Sequence, residues 1–244
     1  MTDTLTCSWY SAALTHVGHV RQINEDAYLD SPKAGMWAVA DGMGGHHAGD
    51  VASTSIIRAL RDVKPANRLS QYVNDIEDRL IGVNTRLRQM AAEHNDNRTI
   101  GSTIIALVAL GNHCALMWAG DSRAYRFRDN KVLQITRDHS QVEEMVERGL
   151  LQPEDAESHP ASNVITRAVG AADVLYVDVD LHELQKDDVF LLCSDGLYKH
   201  ISKDEIEDLL KSDKSVQECA RYLIDNTLER GASDNVTVVL VKIS

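Results

Sequence analysis

The sequence of 244 residues has few cysteines, no long apolar run and no excess of basic residues. Its four cysteines are widely separated and form no CxxC pair, which argues against a disulfide framework and against a zinc ribbon. The longest apolar run, residues 104–110, is far too short to span a membrane, and no basic segment followed by a long apolar stretch opens the chain. We therefore expect a soluble, cytoplasmic protein that does not bind membranes.

The shortage of positive charge restricts the partners. The chain has 25 Lys and Arg against 37 Asp and Glu, a formal net charge of −12 at pH 7. Proteins bind nucleic acids mainly through Lys and Arg contacts to phosphates, so we expect no nucleic-acid partner.

Apolar residues make up 43% of the chain, and its length suits one sizeable core. We expect a single domain over residues 1–244, and a monomer.

The apolar pattern predicts strands in runs, with helices between the runs. Strands are predicted at 7–14, 26–30, 35–40, 103–110, 114–119, 124–128, 132–136, 174–181, 189–193 and 236–243. Helices are predicted at 48–63, 69–93, 138–151, 203–210 and 216–229. The four strands between 103 and 136 should form a meander with turns at 111–112 and 129–130. This order favours an α+β layered sandwich over an alternating parallel sheet.

Acidic residues mark the ends of several predicted strands. Asp41, Asp121 and Asp195 each follow an apolar run, and Asp234 precedes the last one. The end of one antiparallel strand lies beside the start of its neighbour, so we expect these acids at one sheet edge, near residues 24–26. Any one of them alone could be an ordinary turn residue. Four such placements are poorly explained by turn chemistry acting four separate times.

A cluster of carboxylates requires a compensating cation, because like charges held close together destabilise the fold. Oxygen ligands without a neighbouring Cys select Mg²⁺ or Mn²⁺ over zinc or copper. Two such ions about 4 Å apart, sharing a bridging aspartate, can activate the water between them, as in phosphatases and nucleases. The cluster therefore predicts hydrolysis at phosphorus without a covalent nucleophile.

Two further features bear on phosphate chemistry. Arg21 lies four residues before Glu25, and its guanidinium fork suits the oxygens of a phosphate, although it could equally be a surface arginine. Residues 41–47 resemble a phosphate-binding glycine loop but lack the Walker lysine and the GxGxxG spacing. We interpret these glycines as allowing the backbone to approach a metal. His46 or His47 could donate a proton, or be a solvated loop residue.

Six motifs in order resemble those of the metal-dependent protein serine/threonine phosphatases, the PPM or type 2C family. They are RQINED at 21–26, DGMGG at 41–45, GDSR at 120–123, TRDHS at 136–140, SDGL at 194–197 and SDNVT at 233–237. These motifs extend over nearly the whole chain, which is similar to the compact stand-alone bacterial members. Six motifs in this order make a highly specific signature.

The resemblance implies a four-layer αββα sandwich, in which two antiparallel sheets pack face to face and are flanked by helices. It implies two ions of Mn²⁺ or Mg²⁺, bridged by Asp41. Glu25 and the carbonyl of Gly42 would bind one ion, and Asp195 and Asp234 the other. A third, weaker ion is also implied, and the segment at about 140–162 would be a mobile flap beside the site.

The resemblance also assigns roles around the ions. Asp121 would bind the third ion, Asp26 would hold metal-bound water, and Arg21 would bind the substrate phosphate. In many eukaryotic members a histidine directly follows the Asp-Gly motif and is the proposed general acid. This chain has Met43 at that position. The resemblance therefore does not identify the acid here, and His46 of the glycine loop is the candidate.

The sequence thus predicts a phosphatase that hydrolyses phosphoserine and phosphothreonine in proteins and opposes a serine/threonine kinase. Control of type VI secretion is one setting in which such small phosphatases occur. A metal-dependent phosphodiesterase or nuclease is an alternative, but the acidic charge and the lack of a basic, aromatic groove count against it. A catalytically inactive family member acting as a binding module is another. Such a protein should lack ligands, and none is missing here.

Overall fold

The structure, a computed structural model, describes residues 7–44, 48–93 and 99–244. Its strands are β1 Trp9–His16, β2 Asp26–Ser31, β3 Met36–Met43, β4 Gly101–Ser102, β5 Ile104–Leu110, β6 His113–Ala119, β7 Arg123–Arg128, β8 Lys131–Gln134, β9 Asp178–Glu183, β10 Val189–Cys193 and β11 Val236–Ile243. Its helices are α1 Ala48–Arg61, α2 Leu69–Glu93, α3 Gln141–Glu147, α4 Asp195–Tyr198, α5 Lys203–Leu210 and α6 Val216–Glu229. A 3₁₀ turn covers Pro153–Asp155.

Two antiparallel sheets form the centre of the molecule. The first sheet has the order β1-β11-β10-β7-β8, and the second has the order β2-β3-β5-β6-β9 with β4 beside β3. One apolar cluster lies between the sheets. A second lies between the second sheet and helices α1 and α2, and a third lies between the first sheet and helices α5 and α6. The predicted α+β class and αββα layers are confirmed.

Strand β3 is buried on both faces, as its apolar run predicts. Trp37 and Val39 belong to the cluster between the sheets, whereas Met36 and Ala38 pack toward helices α1 and α2. Successive side chains of a strand point to opposite faces, so both sets of alternate residues have to be apolar here. This buried strand ends in Asp41 and Gly42 and carries them to the end of the sandwich.

The predicted meander from 103 to 136 is wrong. Strands β5 and β6 form one hairpin in the second sheet, and β7 and β8 form another in the first sheet. The chain changes sheets at Gly120, where φ is +121° and an added Cβ would lie 2.6 Å from the Thr103 side chain. Only glycine tolerates this conformation and this contact. The sequence pattern shows both hairpins but not which sheet each one joins.

Two other predicted elements begin three or four residues too early. Helix α3 starts at Gln141 instead of 138, because Ser140 caps it and Asp138 pairs with Arg123. Strand β9 starts at Asp178 instead of 174, and the exposed side chain of Val174 precedes the ladder.

Among the helices in the described ranges, none combines the length and the apolar character needed to cross a membrane.

Candidate active site

The predicted acids lie at one end of the sandwich, but they come from both sheets. Asp26 and Asp41 are paired residues of β2 and β3 in the second sheet. Asp195 follows β10, and Asp234 precedes β11, in the first sheet. Asp121 lies where the chain crosses between the sheets. The expectation of a single sheet edge is therefore wrong: the cluster forms where the ends of two facing sheets meet.

Asp26 joins the two sheets. Its Oδ2 accepts hydrogen bonds from the hydroxyls of Ser194 and Thr237, both at 2.7 Å. Its Oδ1 is buried and has no hydrogen-bond partner within residues 7–44, 48–93 and 99–244. Burial raises the pKa of Asp26 to about 7, although these two hydrogen bonds oppose the shift. A buried oxygen of this kind is costly, so Oδ1 is suited to a cation or a water.

The carboxyl groups of the cluster act strongly on one another. Burial raises the pKa of Asp41 well above its ordinary range, and the charges of Asp26, Asp195, Asp121 and Asp234 raise it further. Burial also raises the pKa of Asp121 to about 7, and Asp195 adds to that shift. The neighbouring negative charges therefore make ionisation of Asp26, Asp41 and Asp121 harder. Such a set is stabilised by a bound cation.

Close backbone contacts between β3 and α1 place Glu25. An added Cβ on Gly42 would lie 2.0 Å from the carbonyl oxygen of Gly49, and one on Gly49 would lie 2.6 Å from Oε1 of Glu25. The amide of Gly42 donates to the carbonyl of Glu25 at 3.1 Å. The Glu25 carboxylate thus lies directly against the start of α1. Gly49 makes this possible, and the sequence patterns did not single it out.

Asn235 fixes the loop that carries Arg21 and Glu25. Its Oδ1 accepts a hydrogen bond from the backbone amide of Glu25 at 2.8 Å. Its Nδ2 donates to the carbonyls of Val17 and Ile23 at 2.9 and 3.0 Å. In the sequence, Asn235 stands out only as part of the SDNVT motif. Its position beside a candidate ligand was a signal, but its partners lie more than 200 residues away in the chain.

Two basic side chains pair with acids of the cluster. Arg21 forms a bidentate pair with Asp234, and both N–O distances are 2.8 Å. Lys199 pairs with Asp195, and its Nζ also donates to Oδ1 of Asn163 at 2.7 Å. With the side chains so placed, no group of three or more His, Cys, Asp or Glu in the described residues is arranged to hold a metal ion. An ion bound by Asp195 or Asp234 would have to replace these basic partners.

A cavity of about 750 Å³ opens beside the acids. Its lining includes the paired residues Arg21 and Asp234, and also Lys199 and Asn163. The predicted flap, residues 140–162, supplies much of the remaining wall. The volume is in the range of ligand-binding clefts. A phosphorylated side chain could therefore approach the acids from this cavity, whose lining includes Arg21.

The predicted proton donor His46, with His47, lies outside the described residues, and the identity of the general acid stays a prediction. His139 of the TRDHS motif is described and is 7% exposed. Its Nδ1 accepts a hydrogen bond from the amide of Gly120 at 3.1 Å, and its Nε2 lies 3.2 Å from Oδ2 of Asp178. Both ring nitrogens are engaged, so His139 supports the bend at Gly120.

Comparison with known proteins identifies the family and agrees with the fold. A family model described as protein phosphatase 2C matches residues 15–240. The serine/threonine phosphatase stp of Listeria welshimeri is 35% identical over 235 residues, which cover 93% of each chain. The solved structure of PppA, titled a key regulatory component of T6SS in Pseudomonas aeruginosa, is 42% identical. Its TM-score is 0.90, and the match covers 97% of this chain and 98% of PppA.

A second solved structure is the catalytic domain of the serine/threonine phosphatase PstP in complex with two manganese ions. It is 33% identical, with a TM-score of 0.86 and coverage of 98% of this chain and 99% of that one. The family match and these relatives each extend over nearly the whole chain. The chain therefore belongs to the protein phosphatase 2C family and is a protein serine/threonine phosphatase.

Proposed function

We propose that this enzyme dephosphorylates phosphoserine and phosphothreonine in proteins with Mn²⁺ or Mg²⁺ held by the carboxylate cluster. The observation that carries the proposal is the set of mutually repelling, largely buried acids beside an open cavity. All side-chain donors are oxygens, which suits a hard cation. The two manganese ions of the related PstP structure support the same choice of metal.

The proposed ligands are those that the motifs imply. Asp41 would bridge two ions, with Glu25 and the Gly42 carbonyl on one and Asp195 and Asp234 on the other. Bound ions of this kind supply Lewis acidity and an activated water. The orphaned Oδ1 of Asp26 and the crowding of carboxyl groups around Asp41 fit such ions.

The other residues act on the substrate and on water. The guanidinium of Arg21, whose side chain is 53% exposed and lines the cavity, binds the phosphate oxygens. Asp26 is held through Oδ2 by Ser194 and Thr237, which leaves Oδ1 free to accept a hydrogen bond from the attacking water. His46 would protonate the leaving serine oxygen. Asp121 would bind a third ion.

We propose that a serine/threonine kinase supplies the phosphorylated proteins. The similarity to PppA supports secretion control as one setting for that signalling. The cytoplasmic location, the monomeric state, the single domain over 1–244 and the mobility of residues 140–162 stay predictions.

The test is an assay of the purified protein on a phosphothreonine peptide and on a phosphodiester, with Mn²⁺ and with EDTA. We expect rapid release of phosphate from the peptide, loss of that activity in EDTA, and little hydrolysis of the diester. Asp78→Ala, on the exposed face of α2, is a control that should leave the rate unchanged. Peptide hydrolysis that persists in EDTA would contradict the metal assignment, and preference for the diester would contradict the substrate.

A further inference from the structure

Lys199 connects a candidate metal ligand to the segment that follows the predicted flap. It lies directly after α4, four residues beyond Asp195. Its Nζ forms an ion pair with Oδ2 of Asp195 and donates a hydrogen bond to Oδ1 of Asn163 at 2.7 Å. The side chain is 35% exposed at the cavity wall, whereas Asp195 is 15% exposed. The ammonium group therefore lies against a largely buried carboxylate of the acid cluster.

The position of Lys199 makes it a competitor for that carboxylate. The ammonium group of Lys199 and a divalent ion would both bind the carboxylate oxygens of Asp195. If both were bound at once, two positive charges would lie side by side and repel each other. We propose that Lys199 competes with the metal ion for Asp195 and so lowers the affinity of the ion that Asp195 holds. This inference rests on the proposed function, because it needs Asp195 to be a ligand.

The expected size of the effect follows from the competition. If the Lys199–Asp195 pair leaves the carboxylate free about one tenth of the time, the apparent affinity for the ion falls by roughly tenfold. Removing the ammonium group should restore that factor. The same Nζ also bonds Asn163, so its displacement from Asp195 by a metal ion would change the surroundings of Asn163. Metal binding would then be coupled to the wall of the substrate cavity.

The test is a calorimetric titration of the full chain with Mn²⁺ alone, comparing wild type, Lys199→Met and Lys199→Arg. Methionine keeps the apolar stem and removes the charge, and we expect a roughly tenfold tighter site. Arginine keeps the charge and should stay close to wild type. Thermal unfolding in EDTA, run beside the titrations, verifies that each variant is folded.

Lys211→Met is the matched control. Lys211 follows the last residue of α5 and pairs with Glu207, four residues earlier, at 2.7 Å. The exposures of that pair, 37% and 13%, match those of Lys199 and Asp195. Its removal changes the net charge equally, and we expect no change in Mn²⁺ affinity.

Three outcomes would overturn the inference: an unchanged isotherm for Lys199→Met, an equal gain in Lys211→Met, or an equal gain in Lys199→Arg. The proposed function is judged separately by adding Asp41→Ala to the same titrations. Unaltered Mn²⁺ binding by Asp41→Ala, with the Lys199 effect intact, would overturn only the assignment of Asp41. Absence of Mn²⁺ binding in every variant would overturn both proposals.

Discussion

A buried aspartate lies at each end of strand β10: Asp188 at its start, and Asp26 beside Ser194 at its end. The two carboxylates differ in how their negative charge is compensated. Asp188, before the strand, is 1% exposed and receives bonds from Arg128 at 2.7 and 2.6 Å and from the amide of Gln185 at 2.9 Å. At the other end Asp26 is 8% exposed, and its Oδ1 has no partner in the described part of the chain. One carboxylate is fully paired, and the other is left among acids.

This difference separates a structural acid from a functional one. A buried charge is tolerated when it is paired and hydrogen-bonded, and it is costly otherwise. The fold meets that requirement at Asp188 with its own arginine. At the other end the chain supplies no partner for Oδ1 of Asp26 within its described residues, so that a bound cation or water has to supply it. This unmet need favours binding at the site. The burial of an aspartate alone would not distinguish the two ends.

The largest expected effect comes from Asp41→Ala. Loss of the shared ligand should lower the rate on a phosphothreonine peptide by roughly 10³-fold or more, since bound metal contributes several kcal/mol to such reactions. Denaturant unfolding in EDTA should show the variant at least as stable as wild type, because a repelling charge is gone. Asp195→Ala and Asp234→Ala should behave alike. A near-normal rate for Asp41→Ala at saturating Mn²⁺ would remove it from the site.

Asp188→Asn should do the reverse of Asp41→Ala: it should lower stability and leave activity almost unchanged. The amide weakens the bidentate pair with a mostly buried Arg128, and we expect a loss of about 2 to 3 kcal/mol in the free energy of unfolding. The activity of the folded fraction should be close to wild type. Asp187→Asn is the control, because Asp187 is 67% exposed and only 3.7 Å from Lys242, and its loss should have almost no effect. Equal stability of the two variants would refute the comparison.

Removal of the metal should destabilise the protein through the acid cluster at the Asp26 end of β10, and not through the Asp188 end. Saturating Mn²⁺ at about 100 times its Kd should stabilise the wild type by about 2.7 kcal/mol, and EDTA should reverse the effect. The transition temperature of Asp41→Ala should move far less, whereas that of Asp188→Asn should rise with Mn²⁺ as wild type does. Equal Mn²⁺ shifts in Asp41→Ala and wild type would show that the ion binds elsewhere.

The sequence predicted most of the elements because their signals are local. The apolar run before Asp41 and the spacings in α1 and α2 are visible within a few residues. The crossing at Gly120 was missed, because two hairpins look alike whether they join one sheet or two. Which sheet a hairpin joins depends on contacts between distant strands, and these leave no local pattern.

The site was predicted in the same unequal way. The acids stood out because each one ends or opens an apolar run. The residues that hold Asp26 did not, since Ser194 and Thr237 lie 168 and 211 residues from it. Lys199 has a sequence signal, the spacing of four from Asp195, but that spacing is also common in ordinary surface pairs. Only the burial of Asp195 within the cluster makes the pair notable.

The smallest expected effect concerns two bidentate pairs of the same geometry, Arg128 with Asp188 and Arg21 with Asp234. It tests whether the two pairs serve different purposes. Arg128 and Asp188 have side chains that are 20% and 0% exposed, whereas those of Arg21 and Asp234 are 53% and 31% exposed. The exposed pair costs less to separate, as the proposed exchange of Asp234 for a substrate phosphate at Arg21 requires. Arg21→Ala should therefore raise KM for the phosphopeptide by about tenfold with little change in kcat, because the guanidinium contacts ground state and transition state alike.

Arg21→Lys should recover only part of that loss, since one ammonium group cannot reproduce the bidentate fork. Arg58→Ala, an exposed arginine of α1, is the matched control and should leave KM unchanged. Steady-state kinetics at saturating Mn²⁺ separates the possibilities. An unchanged KM for Arg21→Ala would mean that Arg21 only compensates Asp234, and the two pairs would then differ in exposure but not in purpose.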